Sequence, residues 1–73
     1  MMDFKTAIEV TGNELGRLIE LFEKDIDENE EMTSYLVTAQ QTTEMLLQLE
    51  EYPSALRELK ACRERIFWFL GLK

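Results

Sequence analysis

Histidine is absent from the 73 residues, and cysteine, proline and glycine number one, one and three. Without histidine the chain lacks the commonest general base and the commonest metal ligand. Ser34 and Ser54 therefore have no imidazole to activate them, and no catalytic residue is assigned. A single cysteine, Cys62, cannot close an internal disulfide, and nothing points to an oxidising compartment. Scarce glycine and proline disfavour a turn-rich β fold and favour long helices. No glycine-rich loop is present to cradle a phosphate. Long apolar runs are missing as well. The longest, Ile66 to Leu72, is far short of the ~20 residues that span a bilayer. Met1 to Lys5 offers no basic region followed by an apolar stretch, so no signal peptide is expected and the expected compartment is the cytoplasm.

What is present is 45% apolar and 32% charged, the balance of a folded domain rather than a disordered chain. Residues 1–73 have room for a single small helical domain. A chain of this length buries only ~60% of the surface it exposes when unfolded. With neither disulfide nor metal, a partner chain is the leading source of extra stability. Fifteen Asp and Glu against eight Lys and Arg give a net charge of −7. That balance argues against direct binding of nucleic acid and against anionic membranes. The charge is also uneven. Acids crowd residues 14–31, whereas Arg57, Lys60, Arg63, Arg65 and Lys73 concentrate cations in residues 53–73. Segments of opposite sign in so small a chain are expected to be neighbours.

Apolar residues at helical spacing predict an all-α, up-down-up bundle of three helices near 3–27, 30–51 and 54–70. In the first, Phe4, Ile8, Leu15, Ile19, Phe22 and Ile26 stay in phase, with Asp3 as the cap. Gly12 costs that helix about 1 kcal/mol relative to Ala. A rival reading starts the helix at a Thr11–Glu14 capping box and leaves residues 3–12 as a separate arm. Asn29 caps the second helix, whose wide apolar arc (Met32, Tyr35, Leu36, Ala39, Thr43, Leu46) suits a middle position. Pro53 disfavours helix at Tyr52, and Ser54 is placed to cap the third helix, which Gly71 ends. The fold can also be dominated by the antiparallel hairpin of the second and third helices. The topology then sets Glu23, Asp27 and Glu28 near Arg63, Arg65 and Lys73.

The acidic surface Glu23, Asp25, Asp27, Glu28, Glu30 and Glu31 invites a calcium reading. Asp25, Asp27 and Asn29 match the first three ligand positions of an EF-hand loop. Glu30 stands where that loop needs glycine, however, and Leu36 where it needs a bidentate glutamate. No metal or cofactor is assigned, and the stretch reads as a solvated helix junction. Gly12 and Gly16 share the GxxxG spacing of membrane helices, which here does no more than permit a close helix approach. Cys62 lies on the core face and reads as a small buried hydrophobe.

Ile66 to Leu70 are apolar all round the helix, and Trp68 points away from the core face. Trp68, with Phe67, Ala61, Leu72 and Val37 around it, is the expected partner-binding surface. The expected function is a non-enzymatic protein–protein interaction module. Its partner is a second copy in a homodimer, or an amphipathic helix. The alternative is a small acidic regulator that occupies a basic or nucleic-acid-binding surface of its partner. In size, acidity and helix-turn-helix layout the chain is similar to helical co-chaperones that hold secretion-needle subunits, and to small phage or plasmid regulators. The likeness is one of architecture and transfers no site residue.

Overall fold

A computed structural model describes residues 3–71. They form an all-α bundle: α1 Phe4–Leu21, α2 Glu23–Asp27, α3 Glu30–Gln48 and α4 Tyr52–Leu70, with no strand among the described residues. The apolar periodicity and the two expected N-caps account for most of this. The Thr6 amide donates to the Asp3 carboxylate at 2.8 Å, which holds that carboxyl below its usual range. The Met32 amide donates to the Asn29 side chain at 2.9 Å. Each bond satisfies one of the amide groups that a helix start leaves without an internal partner.

Three boundaries differ from the sequence expectation. The first helix does not run unbroken to residue 27. It stops at Leu21, and the chain steps at Phe22 (φ −116°, ψ 26°) into the single turn of α2. Phe22 and Ile26 still face inward, so the apolar phase carries no trace of the step. The second helix ends at Gln48 rather than Glu51. Leu49 caps it and Glu50 adopts a left-handed conformation (φ 58°). The last helix begins at Tyr52 with Pro53 in its first turn, where the missing amide costs no intrahelical bond. Ser54 is therefore not its cap. That position falls to Glu51, without a side-chain hydrogen bond. Residues 3–12 form no separate arm: Asp3 caps α1 and the rest belong to it, with Gly12 and Gly16 within continuous helix. Gly71 (φ 73°) ends α4 in the left-handed conformation, with its amide donating to the Phe67 and Trp68 carbonyls.

The core gathers Leu15, Ile26, Met32, Ala39, Cys62 and Ile66, flanked by half-buried Leu18, Phe22, Tyr35 and Leu59. Phe4, on the expected apolar stripe, and Leu49 lie at helix ends and are exposed. The middle helix is α4, not α3. It packs on α1 along one side and on α3 along the other, whereas α1 and α3 do not pack against each other. Gly12, Gly16 and Ile19 of α1 and Leu36, Val37 and Gln40 of α3 line the gap between them.

α1 and α4 run in the same direction. Lys5 lies over the Tyr52 ring, 5.6 Å from its centroid, and further along Arg63 Nη1 donates to Glu14 Oε2 at 2.8 Å. That pair is the one ion pair among the described residues. The expected approach of Glu23, Asp27 and Glu28 to Arg63 and Arg65 is not formed. The step at Phe22 turns α2 onto α3, so these carboxylates stand away from α4. Lys73 lies outside the described residues.

Candidate functional site

Two exposed surfaces lie on opposite sides of α4. The first is built on residues that the helix turns away from its core-facing row Ala55, Cys62 and Ile66. Trp68 is 71% exposed there. One turn before it, Arg65 lies with its guanidinium 5.4 Å from the Trp68 ring and 5.3 Å from the Tyr35 ring of α3. The cation is therefore held between two aromatic faces, an arrangement favoured by the negative potential over each ring. Ala61 and Glu64 complete a shallow depression beside the indole. Ala61 contributes only a methyl group to that depression.

Of the residues expected at this surface, Trp68 and exposed Ala61 are brought together. Phe67 is half-buried on the flank of α4 and does not line the depression. Leu72 falls outside the described residues. Val37 is not part of the surface. It is 50% exposed, but it points to the opposite side of the molecule. A helical wheel gives the direction of a side chain on its own helix and not the neighbour beyond it, which is why the two were grouped. Tyr35 and Arg65 were missed. The signal for Arg65 was its spacing of three from Trp68, which puts both on one helical face.

The second surface is a groove of about 510 Å³ along the gap between α1 and α3. Gly12, Gly16 and Ile19 form one wall, and Leu36, Val37 and Gln40 form much of the other. Leu59 and Cys62 of α4 make the floor, and Ile26 and Asp27 close one end. Neither glycine was assigned to a site from the sequence. Their GxxxG spacing was the signal, and only the splaying of α1 from α3 gives it meaning.

Glu23, Asp25, Asp27, Glu28, Glu30 and Glu31 are all exposed, on α2, at its C-cap and at the start of α3. No cluster of three or more carboxylate or thiol side chains among the described residues is arranged to hold a metal ion. Cys62 is buried, and burial raises its thiol above the ordinary range, with the Glu58 carboxylate adding to the effect. The thiol is therefore kept neutral, which suits a core residue and not a nucleophile. Burial likewise raises the Tyr35 hydroxyl. No described helix is long and apolar enough to cross a membrane. Comparison of the chain with protein-family models, curated proteins and solved structures finds no match.

Proposed function

We propose that this chain is a non-enzymatic protein–protein interaction module of the cytoplasm that associates with itself through the apolar surface centred on Trp68. The observation that carries the reading is the 71% exposure of Trp68 beside Ala61 and Arg65, on a helix whose other face is filled by its own core. Large exposed aromatic side chains with an adjacent arginine are the residue types that dominate binding energy at protein interfaces. Burying a side chain of this kind contributes roughly 1.5–3 kcal/mol. A two-fold dimer gains that contribution from each subunit, offset by the lost freedom of two bodies.

Sedimentation velocity over a concentration series tests the proposal. The parent is expected to associate in the micromolar range, and Trp68→Ala to stay monomeric with its helical circular dichroism intact. Ile66, fully buried two residues earlier, supplies the contrast: Ile66→Ala is expected to cost the fold ~2–5 kcal/mol. A parent that remains monomeric at high micromolar concentration overturns self-association. Unfolding of Trp68→Ala with association retained makes Trp68 a core residue and overturns the assigned surface.

A further inference from the structure

The groove between α1 and α3 is formed at a cost that the fold itself does not explain. Each glycine within α1 weakens the helix by about 1 kcal/mol relative to alanine. A Cβ built on Gly12 or on Gly16 meets nothing within 4 Å, so no neighbour in this chain requires glycine at either position. What the bare wall does provide is room for another backbone to approach α1 closely. The opposite wall reaches from Thr33 to Thr43 of α3, about 15 Å at 1.5 Å per residue, enough to seat nearly three turns of helix.

The rim selects the charge of that helix. Residues three or four apart share a helix face. Glu9 precedes Gly12 by three and Glu20 follows Gly16 by four, and both are exposed beside the α1 wall. On α3, exposed Glu30 precedes Thr33 by three, and Glu44 follows Gln40 by four and accepts a 3.5 Å hydrogen bond from it. Asp27 stands at the closed end, flanked by Glu23 and Lys24 of opposite charge. Lys5, on the same side of α1, is drawn over the Tyr52 ring. The helical spacing thus sets two exposed carboxylates beside each wall of an apolar trough.

We propose that this groove docks an amphipathic helix of another protein, with apolar residues turned inward and Lys or Arg along both flanks. Such a helix adds a fourth long helix to α1, α3 and α4 and covers Val37, Leu59 and Cys62. A second copy of this chain suits the groove poorly. Meeting groove to groove, two copies set like carboxylates against one another, and each carries a net charge of −7. Docking in the groove is independent of self-association through Trp68, because the two surfaces lie on opposite sides of α4.

The test uses the full chain and a fluorescent 18-residue Leu/Lys peptide with leucines at helical spacing, beside a scrambled peptide of the same composition. Fluorescence anisotropy is expected to show saturable binding of the ordered peptide and much weaker binding of the scrambled one. Gly16→Leu fills the groove from its open wall and is expected to weaken binding about tenfold or more. The double variant Glu20→Lys with Glu44→Lys changes only exposed positions, keeps the fold, and is expected to weaken binding comparably. Trp68→Ala is expected to bind as the parent does, so failure of the Trp68 surface and failure of the groove give different results. Equal binding of the two peptides, binding unchanged in both groove variants, or no binding at all overturns the proposal. A parent oligomer that Gly16→Leu converts to monomer also overturns it, by naming a second copy as the occupant.

Discussion

At Cys62 a single side chain ties the floor of the groove to the stability of the core. Its thiol is raised by burial first and by the Glu58 carboxylate second. A raised value in the folded state means that the unfolded chain ionises first as pH rises. The stability contributed by the neutral thiol is therefore complete below the ordinary thiol range, and is lost as pH climbs through that range toward the folded value. Tyr35, raised chiefly by burial, adds a loss of the same sign at higher pH. The urea midpoint is expected to fall between about pH 7 and about pH 10. Cys62→Ala is expected to flatten the fall, while the remaining slope reports Tyr35 and the surface charges. Equal slopes in the two proteins contradict the assignment.

Among the elements, the end of α3 holds the clearest unrelieved strain. The Leu49, Glu50 and Glu51 amides close the helix by donating hydrogen bonds to the Met45, Leu47 and Leu46 carbonyls, a Schellman arrangement that requires a left-handed residue at position 50. Glutamate takes that role at φ 58°. A left-handed L residue costs roughly 1–2 kcal/mol and glycine costs little. Glu50→Gly is thus expected to raise stability by about 1 kcal/mol in urea denaturation, less what glycine loses in unfolded-state entropy. The expectation is unusual for a glycine substitution, and a loss of stability contradicts it. The same turn shows where reading the sequence stops. Helical phase and the Asp3 and Asn29 caps were legible, because apolar spacing and cap chemistry are local. The left-handed Glu50 carries no residue signal, and the step at Phe22 leaves Phe22 and Ile26 in phase. Exposure of Trp68 was legible from its direction on α4. The groove was not, since it depends on α1 and α3 failing to touch, and no property of either helix alone records that.

Over the whole molecule, 34 × 24 × 17 Å, the charge asymmetry of the sequence is expressed through Glu14 and Arg63. Their side chains are 47% and 28% exposed, so solvent screens the pair. Its contribution is expected to be ~0.2–1 kcal/mol. Arg63→Glu is expected to lower the melting temperature at low salt, with a smaller loss at about 1 M salt, where the screening length shrinks to about 3 Å. A loss independent of salt means that Arg63 acts through packing of its aliphatic stem instead. The central position of α4 has a further consequence, in time rather than in space. α3 and α4 are joined by a three-residue turn, so their pairing closes almost no loop. α1 meets α4 only across a long stretch of chain, as Glu14 and Arg63 do at a separation of 49 residues. Loop-closure entropy favours the local pairing first, so the α3–α4 hairpin is expected to act as the folding nucleus, with α1 docking after it. In stopped-flow kinetics Ile66→Ala is expected to slow refolding. Leu15→Ala, in the late-docking helix, is expected to leave the refolding rate within about twofold and to act by speeding unfolding. On that order the departure of the helix that carries the two glycines is expected to set the lifetime of the folded chain, and a ligand seated against it is expected to lengthen that lifetime without changing how fast the chain folds.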